Sequence, residues 1–497
     1  MPTIRTTTER TDDELRRRLL PRDDVLVAEV EVAPGRFHAR SGPFSTWTRT
    51  VDHDATSITE EVRYRIAAPH WGRVVDLAVR GAARHGLTSG ANPWWAPTRR
   101  LEATDAEVLG LCATLSMVAG FLGALIGQTM TFIAADLGGD VGDQSVALAV
   151  IRAGAVLTFA AMALADRVGR RPVLRWALLA AAGAALLTGA SPDLTTVTAT
   201  QLVCRGLVAA AAFVLPVVCA EELPAHSRAY AVSLIALTGG LGAGMALWFL
   251  PVVDLAPWAW RPLYLLALPA AWLVVRTTRR LPETHRFLHD DHVADERSHQ
   301  HVVPRRLLVL AASMLLLNLF VAPAQQLQNE YLRSARGYTA AGVTLFLLVT
   351  NTGGAVGLVL GSRTSDRRSR RITLAIGLIG LAVGNSMMFA TSGSAMWAFS
   401  ALGSIVGAAV VPSLGALQPE MFPTLRRGVA NGLLNLAAVG GSALGLVLVG
   451  RLVTDDRYGP TMLTLAIAPL LVVALVRLLP ESAGRELEDL NPDDPDP

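Results

Sequence analysis

Two short charged segments, 200 residues apart, each contain an aspartate that is followed by arginines. The first reads Asp166-Arg-Val-Gly-Arg-Arg171 and the second reads Asp366-Arg-Arg-Ser-Arg-Arg371. Both lie between long apolar stretches. Carboxylates and guanidinium groups at a hydrated surface form ion pairs that contribute only about 0–1 kcal/mol each. Such residues therefore support reversible pairing, in which several weak contacts together favour one of two arrangements.

Two further arginines, Arg152 and Arg205, lie in stretches that are otherwise apolar. An arginine near the centre of a membrane costs about 2.5–3.5 kcal/mol on insertion scales, so it usually faces a bundle interior or a wet cavity. No Asp or Glu lies deep in any apolar stretch. We therefore predict that both arginines line a substrate or coupling path and that the substrate is anionic. Coupling through an outer acid, facilitated diffusion and a structural role of the arginines stay open.

Uncharged polar residues within the apolar stretches are candidates for the same path. A lone Asn in a membrane helix forms an interhelical hydrogen bond about as often as it contacts a ligand, so both roles stay open. The candidates are Gln128, Asn318, Gln325, Asn351 and Asn435.

The composition places these residues in a membrane. Of the 497 residues, 52% are hydrophobic and 17% are charged, whereas soluble domains average about 25% charged. Apolar stretches of about 20 residues are long enough to cross a bilayer. The predicted fold is therefore an all-α membrane protein of twelve transmembrane helices in two pseudo-symmetric six-helix halves. The predicted spans 1 to 12 are 108–134, 144–165, 173–190, 195–220, 229–253, 258–280, 306–327, 339–361, 372–392, 395–418, 429–452 and 460–479.

The repeat that relates the halves extends beyond the two aspartates. Glu221 and Glu420 each begin a Glu-x-x-Pro-x-x-x-Arg segment, and Glu283 and Glu481 each follow Leu-Pro at the end of a half. Small residues at four-residue spacing let membrane helices approach closely. We predict that this spacing serves helix packing in spans 5 and 11, at Gly240, Gly244, Gly441 and Gly445.

The distribution of charge divides the chain and orients it. Arginines are far more numerous in one set of loops, and this set is expected to face the cytoplasm. Both termini would then be cytoplasmic in a multi-pass protein of the cell membrane. The predicted divisions are a cytoplasmic N-terminal region at 1–105, a six-helix half at 106–280, a cytoplasmic connection at 281–305, a second half at 306–480 and an acidic tail at 481–497.

Residues 1–105 predict a small α+β region. Val25–Glu31 and Ile58–Ile66 alternate as strands do. Apolar residues and arginines alternate through Trp71–Arg84, which favours either an interfacial amphipathic helix or a helix that packs on the region itself. The order Phe37, Gly42-Pro43-Phe44, Trp47, a strand and then a helix resembles the later part of the helix-grip (START-like) ligand-binding fold.

At its repeated turns the chain resembles the major facilitator superfamily, over about residues 106–490. The loop between spans 2 and 3 is similar to that family's Gly-x-x-x-Asp-Arg-x-Gly-Arg-Arg signature, with Met162 in place of the first Gly and Ser369 in place of the Gly in the second copy. The endings at 282–286 and 480–485 lean toward the sugar-porter and organic-ion branch. The resemblance implies a secondary transporter with alternating access, in which one half rocks against the other around a small-molecule substrate.

The resemblance also implies a cytoplasmic gate. Asp166 would meet the N-terminal end of span 11, where free N–H groups favour an anion, and the arginines after it would pair with the acids that end spans 4 and 6. The alternative is that these arginines only set the topology. Arg205 matches a span-4 arginine that this family associates with proton-linked transport. The implied gate residues are Asp166, Arg167, Arg170, Arg171, Glu221, Arg228, Glu283, Asp366, Arg367, Arg370, Arg371, Glu420, Arg427 and Glu481.

Enzymatic and nucleic-acid functions find no support in the sequence. No phosphate-binding Gly-x-x-x-x-Gly-Lys segment occurs, and the chain has no lysine. The three cysteines, Cys112, Cys204 and Cys219, lie in apolar runs without zinc-like spacing, so neither a metal nor a cofactor is expected. The expected partners are a small-molecule substrate and the lipid bilayer, with symport of a proton left open. Two alternatives remain: proton-driven efflux of amphiphilic compounds, and a membrane sensor that acts through residues 1–105.

Overall fold

The computed structural model describes residues 2–85, 96–97, 100–223, 228–283, 304–367, 369–422, 427–453 and 457–482. Most of the predicted 281–305 connection and of the acidic tail therefore lies outside the described residues. Seven of the implied gate residues have side chains outside the description as well; they are Asp166, Glu221, Arg228, Asp366, Arg367, Glu420 and Arg427.

The N-terminal region forms one antiparallel five-stranded sheet in the order β1-β5-β4-β3-β2. Successive side chains of a strand point to opposite faces, and alternate residues of β5, such as Ile58, Val62 and Tyr64, are buried on one face. The elements are β1 Thr3–Glu9, α1 Asp12–Arg18, β2 Ala28–Ala33, β3 Arg36–Ser41, β4 Phe44–His53, β5 Ser57–Ile66 and α2 Gly72–His85.

The buried face of this sheet carries an ion-pair network between two apolar clusters. One cluster packs against Leu15 and Leu19, in and just after α1, and the other against Val79 and Ala83 of α2. Arg49, only 1% exposed, lies between them. Its guanidinium donates to both carboxylate oxygens of Glu29 at 2.6–3.0 Å and to Glu60 at 3.3 Å, and it stacks on Phe37 at 4.1 Å. The network pairs each buried charge with an opposite one, and an unpaired charge would be costly to bury.

The membrane part contains, among the described residues, eleven helices that are long and apolar enough to cross a membrane. The chain is therefore a multi-pass membrane protein. Spans 1 to 6 comprise Ala103–Asp136; Val141–Ala153 with Gly154–Val156 and Leu157–Val168; Arg170–Gly189; Leu194–Glu222; Arg228–Phe249 with Leu250–Leu255; and Pro257–Trp260 with Arg261–Tyr264 and Ala267–Thr278. Spans 7 to 12 comprise Pro304–Gln326 with Gln328–Glu330 and Tyr331–Ala335; Ala340–Thr352 with Gly354–Arg367; Arg370–Ala390; Gly393–Gly407 with Val410–Glu420; Arg427–Leu452; and Tyr458–Leu465 with Ile467–Val476.

Span 2 is an interrupted helix. It is built from two shorter helices joined by a 3₁₀ turn that begins at Gly154. A Cβ atom at Gly154 would collide with the backbone oxygen of Leu202, and one at Gly206 would collide with that of Gly154. Spans 2 and 4 therefore touch through their backbones at this turn, where the helical hydrogen bonding of span 2 is interrupted.

The packing prediction for glycines is correct in span 11 and wrong in span 5. Cβ atoms at Gly441 and Gly445 would collide with backbone oxygens of span 7. Gly240 and Gly244 instead face open space, because nothing lies within 4 Å of a Cβ at either position. The close approach to span 1 is made at Gly242, which is 199 residues before Gly441, the same offset that relates Glu221 to Glu420. The prediction matched Gly240 to Gly441, at an offset of 201, and therefore chose the wrong face of span 5.

Candidate functional site

Two adjoining cavities lie between the two halves, with volumes of about 590 and 580 Å³. Arg152, Arg205 and Asn318 line both of them. The structure thus brings together residues from spans 1, 2, 4, 7, 8 and 11 that the sequence singled out separately. Gln128, Gln325 and Asn351 line the first cavity and Asn435 lines the second. Their role in binding remains a prediction.

Arg152 bridges the halves and keeps one donor free. Its Nη1 donates to Ser442 Oγ of span 11 at 3.0 Å. Its Nε is buried and has no hydrogen-bond partner. Because a buried, unsatisfied donor is costly, an acceptor that enters the cavity would be favoured at this atom. Arg152 lies in the last turn of the first helix of span 2, two residues before the 3₁₀ turn.

Arg205 projects from span 4 toward span 1. Its Nη1 donates to the backbone oxygen of Gly123 at 3.2 Å. No Asp or Glu is among the described residues that line either cavity. Two guanidinium groups thus share a space whose described lining offers them no counter-charge, and the field inside it favours a negatively charged ligand.

The amides around the cavity are partly engaged with the protein. Asn318 Nδ2 donates to the backbone oxygen of Met314 at 3.0 Å, and Asn329 Nδ2 donates to Gln128 Oε1 at 3.0 Å. The interhelical hydrogen bond that the sequence left open as a structural role is therefore seen for Gln128, whereas the bond of Asn318 to Met314 lies within span 7. Neither bond excludes a ligand contact, because each amide retains further donors or acceptors.

At the arginine-rich end of the bundle, Glu283 caps span 3. Its carboxylate accepts the backbone N–H of Arg170 at 2.8 Å and that of Arg171 at 3.3–3.4 Å. Arg171 Nε donates in turn to the backbone oxygen of Thr278 at 2.9 Å. These contacts join the ends of spans 3 and 6 within the first half. Arg167, the other described gate residue of this half, is exposed.

The second half repeats this arrangement with one change. Glu481 accepts the N–H of Arg370 at 3.0 Å and the hydroxyl of Ser369, and Arg371 Nε lies 3.4 Å from it. The first half has Gly169 at this position, with φ of +106° and Glu283 Oε2 only 2.7 Å from where its Cβ would lie. Ser369 adopts an extended conformation instead. The departure from the Gly of the signature therefore changes the local turn and adds a hydrogen bond.

The end of the bundle opposite the arginine-rich end joins the two halves. Asp254 accepts the N–H groups of Ala340 and Ala341 at 2.7 and 3.0 Å. Asn329 contacts Gln128 as described above, and the Arg333 guanidinium lies 4.3 Å from the centre of the Phe132 ring. Hydrogen bonds between the halves are present at this end and at the level of Arg152.

The comparisons with known proteins agree with this architecture. The family model described as Major Facilitator Superfamily matches residues 307–493, which begin in span 7. The resemblance to the major facilitator superfamily is confirmed. No curated protein sequence matches the chain significantly.

Solved facilitator structures match both halves. The D-xylose-proton symporter is 17% identical, with a TM-score of 0.63 over 76% of this chain and 98% of that one. The inward-open xylose transporter XylE from E. coli is 15% identical, with a TM-score of 0.62 over 77% and 98%. The nucleoside transporter NupG is 13% identical, with a TM-score of 0.60 over 74% and 99%. At these identities the likeness shows the fold.

The sequence did not single out two residues that connect the halves, Asp254 and Asn329. Asp254 lies in the 3₁₀ turn that ends span 5 and Asn329 follows Gln325 in a polar run, but neither lies at a repeated position. Their partners are in the other half, more than 80 residues away. Only the polar character of the span 7 ending, Gln325-Gln326-Leu-Gln328-Asn329-Glu330, could have indicated Asn329.

Proposed function

We propose that the protein is a secondary transporter that moves a small organic anion across the cytoplasmic membrane by alternating access. The observation that carries this proposal is the pair Arg152 and Arg205, which line the central cavities without an acidic residue among the described lining. A carboxylate would accept charge-assisted hydrogen bonds from these guanidinium groups, which are about twice as strong as neutral ones.

The lining also constrains the rest of the substrate. The second cavity is bordered by Val208, Phe213, Val232 and Ile235. An apolar body next to a carboxylate would bury itself against these side chains. An uncharged substrate, such as the xylose named for XylE, would leave both arginines without a counter-charge. The chemistry of the lining therefore favours a monocarboxylate with an apolar portion over a sugar.

The contacts at the two ends fit a mechanism in which access alternates. In this proposal the arginine-rich end faces the cytoplasm, and the described contacts between halves keep the other end closed. Opening that end would break the contacts of Asp254 and Asn329, while Glu283 and Glu481 keep each half intact. Asp166, Asp366 and the remaining implied gate residues would then close the cytoplasmic end.

Uptake by proteoliposomes tests the proposal. Labelled benzoate and lactate are offered to wild type, Arg205→Ala and Arg205→Lys, with and without a pH gradient. Loss of a hydrogen bond to a charged group costs about 1.5–3 kcal/mol, so kcat/KM should fall about 10- to 150-fold in Arg205→Ala. Arg276→Ala is the matched control, because Arg276 lies at the end of span 6, exposed and stacked on Trp272.

Each outcome has a distinct meaning. Loss of uptake in Arg205→Ala alone supports an anion path through Arg205, and dependence on the pH gradient would identify a coupling proton. Equal uptake by wild type and Arg205→Ala would overturn the role of this arginine. Transport of amphiphilic compounds outward, with no carboxylate uptake by any variant, would favour the efflux alternative, and no flux of either kind would favour the sensor.

A further inference from the structure

An apolar cavity of about 220 Å³ lies where the N-terminal region meets spans 1 and 5. Phe44 and Val75 line it from the sheet and α2, Leu109 from span 1, and Leu234 and Leu241 from span 5. The interface around it is held by specific contacts: Trp71 Nε1 donates to Thr114 Oγ1 of span 1 at 3.0 Å, and Ser41 Oγ donates to Glu102 Oε1 at 2.8 Å.

The wall of this cavity continues onto the surface that a bilayer covers. Leu237 and Leu241 both line the cavity, and they are 60% and 50% exposed on a membrane helix. From Tyr230 to Leu241 the lining follows span 5 for eleven residues, which is about 16 Å along a helix. The cavity thus extends from the end of the span into the depth of the hydrocarbon layer, and a lipid chain can reach it without crossing water.

Helix α2 carries three distinct strips at this place. Val75, Val79 and Ala83 pack on the sheet, whereas Val74 and Leu77 are exposed apolar residues, at 57% and 80%. Of the two alternatives predicted for Trp71–Arg84, packing on the region itself is therefore seen, and the exposed apolar strip leaves a face available for the interfacial alternative.

The third strip of α2 is basic. Arg73, Arg80 and Arg84 are exposed, and at 3.6 residues per turn they lie within about 40° of one another around the helix axis. Leu77 lies next to them on the wheel, so the basic strip borders the apolar one. Arginines at such a boundary place their stems along apolar surface and their charges at the level of lipid headgroups.

We propose that this cavity binds an acyl chain of an anionic membrane phospholipid, whose headgroup lies against the basic strip of α2. The cavity volume is below the roughly 300–1,000 Å³ of pockets that enclose whole small ligands, which suits one segment of chain. Anionic headgroups are attracted to arginines near the membrane surface. The bound lipid would attach the N-terminal region to spans 1 and 5 in a way that depends on membrane composition. This inference is independent of the transported substrate.

Photo-crosslinking to the full-length protein in phosphatidylcholine vesicles tests the proposal. The probes are phosphatidylglycerol and phosphatidylcholine that carry the same diazirine in one acyl chain, and the labelled peptides are mapped by mass spectrometry. We expect phosphatidylglycerol to label residues 71–79 and 106–113 preferentially. Ala113→Phe, which fills the cavity, should abolish this labelling. Labelling around Trp176, which is 66% exposed on span 3, should not change and reports that the protein is folded.

Charge is tested with two matched triple variants. Arg73→Gln with Arg80→Gln and Arg84→Gln should lower the preference for phosphatidylglycerol by about fivefold for each arginine that contacts the headgroup. The control removes three exposed arginines of the same region outside α2, by Arg16→Gln, Arg36→Gln and Arg40→Gln, and should keep the preference. These six positions are exposed, so the test remains decisive even where Ala113→Phe does not fold.

Three results would overturn the proposal. The first is equal labelling of residues 71–79 by the two lipids in the wild-type protein. The second is labelling that persists in a folded Ala113→Phe variant. The third is displacement of the label by oleic acid without any preference for the anionic lipid, which would assign the cavity to a soluble amphiphile.

Discussion

Asp254 provides a direct test of how the two halves are held together. It lies in the 3₁₀ turn that ends span 5, and its carboxylate accepts two N–H groups at the start of span 8, in the other half. These amides are among the four that an α-helix leaves without an internal partner. In the proposed mechanism this contact exists only while this end of the bundle is closed, so Asp254→Ala should favour the arrangement in which it is open.

The size of the effect follows from the contact. Replacing a capping acid by Ala costs about 0.5–2 kcal/mol, and each 1.4 kcal/mol changes an equilibrium constant tenfold. The ratio of open to closed molecules should therefore rise about 2- to 30-fold in Asp254→Ala. Asp254→Asn retains an oxygen acceptor and loses only the interaction of the charge with the helix dipole, about 0.3–1 kcal/mol. Its ratio should rise about 2- to 5-fold.

Electron–electron double resonance measures this ratio directly. Spin labels at Thr195→Cys and Ser394→Cys report the distance between the halves at this end, since both positions are exposed. They lie at the starts of spans 4 and 10 and are related by the repeat offset of 199. The three native cysteines are buried, so the labels should attach selectively. The fraction of long distances should increase in the order wild type, Asp254→Asn, Asp254→Ala.

Thr339→Ala is the matched control. Thr339 Oγ1 accepts the N–H of Gly342 at 3.1 Å and so caps the same helix from within its own half. Its loss should weaken span 8 without moving the distance distribution. The reasoning would be refuted by a wild-type distribution in Asp254→Ala, or by an equal shift in Thr339→Ala.

Three other perturbations test the fold. Arg49→Met leaves the buried carboxylate of Glu29 without its partner and should destabilise the N-terminal region by about 3–5 kcal/mol, seen as faster hydrogen exchange in residues 28–66 but not in the spans. The backbone N–H groups that follow Asp54 lower the pKa of its carboxyl group to about 2. The stabilisation by Asp54 is therefore complete above its ordinary pKa of 3.8 and is lost as the pH falls toward 2. In Asp54→Asn, the free energy of unfolding should depend less on pH over that range. Gly242→Ala should lower the melting temperature because its Cβ would overlap a backbone oxygen of span 1, whereas Gly240→Ala should leave it unchanged or raise it, since Ala is the better helix former.

The spans were predictable because they depend on length and composition alone. Span 4, for example, is predicted at 195–220 and observed at Leu194–Glu222. The interruption of span 2 was not predictable, because it follows from backbone contact between Gly154 and span 4. The face of span 5 was misjudged for a similar reason. Several glycines satisfy a four-residue spacing there, and only the position of span 1 decides which of them is covered.

The cavity residues could be found because a polar side chain inside a membrane must avoid lipid. Arg152 and Arg205 lie in apolar spans, so the space between the halves was the expected position for their charged groups. The contacts that close the opposite end could not be found in the same way. Asp254 and Asn329 are polar residues near the ends of spans, where water is available and no burial is forced. Their importance depends on partners that only the packing of the two halves brings near.

The internal repeat includes the residues that hold the helices together but does not include the charged residues of the cavity. Glu283 and Glu481 cap equivalent helices, and Gly242 and Gly441 make equivalent helix contacts. The charged side chains that line the cavity have no such equivalents. At the repeat offsets of 200 and 199, Arg152 corresponds to Thr352 and Arg205 to Ser404, so both guanidinium groups belong to the first half while the second half supplies amides. In the proposed mechanism an anion would therefore stay with the first half when the halves separate, and the second half would decide when the cavity opens.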